Sequence, residues 1–145
     1  MTPEQIRLIR SSWSTIAEDA DGFTSRFYAH LFAIDASAAR LFSGVDMPSQ
    51  RRKVAQTFGV LVDSLDHLER VLPAVVALGE RHASYGVEQR HFESVGQALV
   101  LAMTETLGDG FTPAVRDAWV TVYTGVVAVM GPELNRVRPA SAQTV

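Results

Sequence analysis

The chain reads as an all-α domain. Apolar residues recur at steps of three and four along nearly all of it. Proline or glycine marks the places where helices start and stop, and no segment alternates with period two over a useful length. The first run is Ile6, Ile9, Trp13 and Ile16. Thr2-Pro3-Glu4-Gln5 begins it well, with Thr2 as cap, Pro3 at the first helical position and Gln5 completing a capping box. Phe23, Phe27 and Leu31 step by four on a second helix, expected to begin after Asp21-Gly22. Asp35 caps a short helical turn that ends near Leu41-Phe42.

Asp46-Met47-Pro48 opens the next helix, on which Gln50, Val54, Phe58, Leu61 and Leu65 share a face. A further helix is expected from Leu72 to Tyr85, stopped by Gly86 where the chain must turn left-handed. Phe92, Val95, Leu99, Met103 and Leu107 trace a long helix broken at Gly108-Asp109-Gly110. Thr112-Pro113 repeats the cap-and-proline start, and Val115, Trp119, Val122, Val126 and Met130 form the last stripe. The unequal lengths argue against a symmetric four-helix bundle. One domain is expected over 1–138, with a flexible tail over 139–145.

Composition narrows the function classes. A length of 145 residues suits one domain with a sizeable core. A net charge of −3, spread along the chain, argues against a nucleic-acid surface, and Arg51-Arg52-Lys53 is too short a basic cluster to make one. There is no cysteine, which excludes thiol nucleophiles, zinc–thiolate sites and iron–sulfur clusters. The N-terminus lacks a basic region followed by an apolar run, and no stretch reaches the ~20 apolar residues that span a bilayer. The expectation is a soluble cytoplasmic protein with no membrane or nucleic-acid partner.

Polar residues on apolar stripes are the informative ones, because a buried unsatisfied polar group costs about 1–3 kcal/mol. His82 lies on the inward face of its helix, four residues after Leu78 and seven after Val75; it is either a satisfied core residue or a ligand. Gln50 heads the stripe of its helix, or is a partly solvated end position. Tyr28 flanks the Phe27 stripe, where its hydroxyl could meet a backbone carbonyl. His30 sits off the apolar stripe, His67 in a connection and His91 near a helix start. No histidine pair has the spacing of a helical zinc site, and no Ser-His-Asp order emerges.

The contexts of these residues resemble the globin family. Ile9-Arg10-Ser11-Ser12-Trp13, Arg52-Lys53-Val54, Arg81-His82 with Gly86-Val87, and Phe111-Thr112-Pro113 with Ala118-Trp119 are similar to neuroglobins. Ser49-Gln50, Gly79 and Tyr85-Gly86-Val87 are closest to single-domain bacterial globins. The resemblance runs from about Ile6 to Met130 and implies six to eight helices packed around one haem b.

It also implies roles. His82 matches the proximal histidine that binds haem iron, with the Leu78 carbonyl as the acceptor that orients its ring. Phe42 matches the aromatic that packs on the porphyrin, and Val54, Val87, Phe92 and Val95 match apolar haem contacts. Lys53 matches a position where a cation can meet a haem propionate, or is simply an exposed lysine. Gln50 and Tyr28 match the distal positions, two neutral donors suited to the partial negative charge of bound oxygen and of less use to carbon monoxide. With glutamine in place of the distal histidine of neuroglobins, a five-coordinate ferrous iron is expected.

Function then divides into two classes. One is reversible binding of oxygen, carbon monoxide or nitric oxide, for transport, storage or sensing. The other is nitric oxide dioxygenation or peroxidase-like turnover. Flavohaemoglobins share the tyrosine–glutamine pair, but they carry a reductase on the same chain and a proximal tyrosine linked to a glutamate. This sequence ends at Val145, has Phe92 at the tyrosine position and has Glu133-Leu134 around the glutamate. Any dioxygenase activity is therefore expected to depend on an external reductase.

Overall fold

The computed structural model describes the backbone of residues 1–143 and the side-chain surroundings of residues 1–135. The helices, in chain order, are α1 (Pro3–Ala17), α2 (Ala20–Ile34), α3 (Ala36–Leu41), α4 (Met47–Asp63), α5 (Leu72–Ser84), α6 (Gln89–Leu107) and α7 (Pro113–Gln143). Short 3-10 turns, Leu65–Arg70 and Gly108–Gly110, join α4 to α5 and α6 to α7. No strand occurs among the described residues. The expected tail, 139–145, lies outside the residues whose side chains are described.

The helix starts follow local chemistry. Thr2 accepts from the Gln5 N–H, and Gln5 returns the bond to the Thr2 backbone, so both parts of the capping box form. Asp35 caps α3 through the Ser37 N–H. One start differs from the sequence reading: α2 begins at Ala20, because the Asp19 carboxylate, rather than Asp21, takes the orphan Gly22 N–H. One end differs too. Leu65 falls in the 3-10 turn after α4 closes at Asp63, and is buried there rather than on the α4 face.

Gly86 ends α5 at φ +90°, where a side chain would be strained. The Gly86 N–H bonds the Ala83 carbonyl and the Val87 N–H bonds the His82 carbonyl, both bonds of a Schellman motif. That motif fixes Tyr85 at the C-cap and sets Val87 beside the turn that carries His82.

Ile9, Ile16, Phe23, Ala98, Ala102 and Ala118 are wholly buried at the centre. Trp13, Phe23, Phe58 and Trp119 interlock there, with neighbouring ring centroids 5.7–6.4 Å apart. The Trp119 indole N–H donates to Ser12 Oγ at 2.9 Å, and that hydroxyl donates to the Leu8 carbonyl at 2.8 Å. A polar atom at the core of the α1–α7 contact is thereby satisfied on both sides.

The most extensive helix pairings are α5 on α7 and α2 on α6. Helix α4 packs on α1 and α2, and makes no extensive contact with α5 or α6. Gly79 is what lets α5 lie so close to α7: a Cβ there would stand 3.0 Å from the Met130 carbonyl oxygen and 3.1 Å from its Cα. Those are backbone atoms that cannot swing aside. Replacing Gly79 by alanine is therefore expected to lower stability by about 1–3 kcal/mol, the usual cost of overpacking, read as a fall in the urea midpoint at unchanged m-value.

Candidate functional site

Helix α2 presents Tyr28 and α4 presents Gln50 to the same space. The Tyr28 ring is gripped by Phe27, Phe42 and Phe32, with centroids 4.8, 5.2 and 5.7 Å away. Phe42, the C-cap of α3, also packs on Phe32 at 5.5 Å. This aromatic collar leaves Tyr28 only 5% exposed and fixes where its oxygen points. The Gln50 amide donates to that oxygen at 3.2 Å. The hydroxyl thus meets a side chain 22 residues away, not the backbone carbonyl that its position suggested as one possibility. Burial raises the phenol above its ordinary pKa and the Gln50 bond only partly offsets this, so Tyr28 keeps its proton at neutral pH. With its lone pair taken by Gln50, the hydroxyl has its proton left to give.

Helix α5 carries His82. Its Nδ1 lies 2.7 Å from the Leu78 carbonyl, the acceptor the sequence suggested. A carbonyl only accepts, so Nδ1 holds the proton and Nε2 carries a free lone pair. Burial lowers the His82 pKa, the Leu78 carbonyl raises it, and the nearby Arg81 charge lowers it again. The net direction is down, so the ring is neutral at pH 7. No carboxylate bonds the His82 ring among the described residues; its neighbour is the Tyr85 ring, 6.3 Å away. A half-buried neutral imidazole with one nitrogen pinned and the other free is able to ligate a metal.

Between these faces lie half-buried apolar side chains. Phe42, Val54, Phe58, Leu61 and Val95 pack on the core without being fully enclosed by it. Val87 and Phe92 are half-buried as well. Lys53 is exposed and makes no ion pair among the described residues. Its neighbour Arg51 is different, because it bonds Asp21 at 2.9 Å and ties the start of α4 to α2. A separate cavity of about 280 Å³ lies between the end of α4, the start of α5 and α7, lined by Leu61, Leu68, Val71, Val75, Val122 and Val126 among others, and touches none of Tyr28, Gln50 and His82. No cluster of three or more histidine and carboxylate groups suited to an ion occurs among the described residues.

The globin family model matches residues 25–130. The chain belongs to the globin family. It is 28% identical to neuroglobin-1 of Oncorhynchus mykiss over 143 residues, covering 90% of each chain. It is also 28% identical to the flavohemoprotein of Bacillus subtilis over 125 residues, 85% of this globin but only 31% of that protein. This globin therefore spans about a third of that larger relative. Among solved structures, a Pseudomonas aeruginosa PAO1 protein described as structurally highly homologous to a human hemoglobin superposes with a TM-score of 0.80. It is 23% identical, with 90% of this chain and 98% of that one covered. An engineered carbene transferase from Rhodothermus marinus gives a TM-score of 0.84 at 22% identity, covering 98% and 99%. At such identities the likeness is one of fold.

Two features of this globin escaped the sequence reading. His91 lies near a helix start as expected, at the third position of α6, but its burial was not foreseen: it is 4% exposed. Its Nδ1 accepts from the Glu88 N–H at 2.8 Å, so Nε2 bears the proton and donates to Ser37 Oγ at 2.9 Å. Ser37 in turn donates to Asp35 at 2.5 Å, and Ser94 donates to the other Asp35 oxygen at 3.2 Å. The chain of bonds clamps α3, and with it Phe42, onto the start of α6. The second is Tyr123, whose hydroxyl donates to the Phe92 carbonyl at 2.5 Å and holds α6 to α7. Neither was visible as periodicity, since each joins segments more than 30 residues apart.

The Ser37 hydroxyl first, then the Ser37 N–H, Ser94 and His91, hold the Asp35 carboxyl down at about 2. A carboxylate whose folded pKa is depressed stabilises the fold above its unfolded value near 4, and loses that contribution as pH falls through 2. The stability gap between wild type and Asp35→Asn is thus expected to be full above about pH 4 and to close toward pH 2. Urea midpoints measured for both proteins across that interval check it.

Proposed function

We propose that this globin binds one haem b through His82 and holds dioxygen reversibly beneath Tyr28 and Gln50, with carbon monoxide and nitric oxide as further ligands. The observation that carries the reading is the His82 ring, with Nδ1 spent on Leu78 and a free Nε2 turned from it. Support comes from the α4 and α5 faces, which are apolar and do not pack on each other. Phe42, Val54, Val87, Phe92 and Val95 are the apolar residues that would line the porphyrin, and Lys53 is the cation available to a propionate. When bound, the haem supplies a ferrous iron able to take up a diatomic gas.

The chain's own part is orientation and charge. Leu78 fixes the imidazole plane, and the aromatic collar fixes Tyr28. Gln50, by donating to the Tyr28 oxygen, makes the hydroxyl proton a better donor toward the partial negative charge that dioxygen acquires on binding. The two distal residues then act as a relay more than as two independent donors. A neutral amide is a poor iron ligand, so Gln50 leaves the gas position open.

Tyr28→Phe is expected to speed dioxygen release by about ten- to a hundredfold, the equivalent of one charge-assisted hydrogen bond of about 1.5–3 kcal/mol. Gln50→Leu is expected to act in the same direction and less strongly, and carbon monoxide release to change little in either variant. Stopped-flow dissociation rates decide the matter; an unchanged oxygen rate in Tyr28→Phe would sink the distal assignment. The ligand-free ferrous protein is expected to give a five-coordinate high-spin spectrum, and His82→Ala to lose the Soret band of the haem-loaded protein.

The same proximal geometry sets dioxygen binding ahead of oxidative turnover. An imidazole hydrogen-bonded to a carbonyl stays neutral, whereas one bonded to a carboxylate gains electron density for driving bond cleavage. Sustained nitric oxide consumption would depend on an external reductase returning the iron to the ferrous state.

A further inference from the structure

Helix α3 touches both sides of the site. Its last residue, Leu41, ends 3.5 Å from where a Cβ of Gly86 would stand, against the turn that closes α5. One residue on, Phe42 packs on Tyr28 with ring centroids 5.2 Å apart. Phe27 and Phe32 share α2 with Tyr28 and move with it. Phe42 is therefore the one ring of the collar that fixes Tyr28 against a different element.

How firmly Phe42 sits depends on α3, which is six residues long and makes its only extensive helix contact, among the described residues, with α2. A helix that short does not hold its place unaided. Two side-chain ties cross to α6. Ser94 donates to one Asp35 oxygen at 3.2 Å. The buried His91 donates through Nε2 to Ser37 Oγ at 2.9 Å, and Ser37 donates onward to the other Asp35 oxygen at 2.5 Å. The second tie is the shorter. It is also anchored behind, because His91 Nδ1 accepts from the Glu88 N–H, beside the Val87 N–H that bonds the His82 carbonyl. From the turn after His82, contacts thus run through His91, Ser37 and Phe42 to Tyr28.

We propose that His91 and Ser37 are positioning residues for the distal donor, and that their bond sets the preference for dioxygen over carbon monoxide by holding Phe42 against Tyr28. The proposal rests on the reading in which His82 holds haem and Tyr28 donates to bound dioxygen. A hydrogen bond weakens steeply as it bends. Without the tie, α3 can drift from α6, the Tyr28 ring can tilt, and its hydroxyl loses alignment with a polar ligand. Carbon monoxide draws little on that donor and feels the change less.

The test uses the haem-loaded full chain with Ser37→Ala and His91→Asn. The asparagine oxygen can accept where Nδ1 does, so the start of α6 is kept while nothing reaches Ser37. Each variant is expected to speed dioxygen release by about two- to tenfold, the range of effects transmitted by residues that do not touch the ligand. Carbon monoxide release is expected to change little. The C–O stretching frequency of the carbon monoxide complex, which falls when a donor points at the ligand, is expected to rise toward the Tyr28→Phe value. Ser37→Thr keeps the hydroxyl and is expected to restore wild-type values. In a Tyr28→Phe background neither substitution is expected to add anything. Ser12→Ala, which breaks the buried Trp119 bond, is expected to lower the urea midpoint and leave dioxygen release unchanged. Unchanged release in Ser37→Ala or in His91→Asn, or an equal acceleration in the Tyr28→Phe background, overturns the proposal and leaves Tyr28 as the donor. An unchanged oxygen rate in Tyr28→Phe alone overturns the distal reading, a wild type with no Soret band after addition of haemin overturns the haem reading, and either takes this proposal with it.

Discussion

The architecture turns on a separation: α4 and α5 make no extensive contact with each other. Each is satisfied elsewhere. Phe58 anchors α4 in the central aromatic cluster and Arg51 ties its start to Asp21, while Gly79 lets α5 settle against the backbone of α7. The opposed faces are left with apolar side chains that the protein does not cover. Leaving such surface uncovered forgoes roughly 25 cal/mol for each Å² that could have been buried. A flat apolar group that slid between the faces would recover that free energy and would raise the stability of the fold by its own binding.

Holding two faces apart also explains where the polar contacts fall. Residues that look across a gap cannot be fixed by contact with one another, so each is fixed from behind. His82 is pinned by the carbonyl one turn earlier and by the Schellman turn just after it. Tyr28 is pinned by three phenylalanines, one of them supplied by α3. The α3 helix is too short to hold itself in place, and the Asp35–Ser37–His91 chain fastens it to α6. A buried histidine remote from His82 therefore bears on the placement of Tyr28, through Phe42.

Much of this was legible in the sequence because helices write themselves locally. The capping box at Thr2, the proline starts and the stop at Gly86 each depend on residues within a few positions of one another, and each stands where the sequence put it. The bond from His82 to Leu78 was legible for the same reason, being four residues long. What could not be read was how distant segments meet. His91 carries no periodic signal of its burial, since its partner Ser37 lies 54 residues away. That the Gln50 amide donates a hydrogen bond to the Tyr28 oxygen depends on how α4 crosses α2. The second helix was expected to begin after Asp21-Gly22; the backbone instead uses Asp19 as its cap and leaves Asp21 to Arg51.

The partner of the proximal imidazole decides how the two sides of the site work together. A carboxylate would draw the Nδ1 proton and make the ring electron-rich, favouring cleavage of an oxygen–oxygen bond over its retention. The Leu78 carbonyl does neither, and burial together with the Arg81 charge holds the ring neutral. On the other side, Tyr28 keeps its proton and shares it without losing it, because the group behind it is an amide and not a base. Neither side offers a ready proton transfer, which favours the proposed reversible binding of a polar diatomic ligand over its consumption.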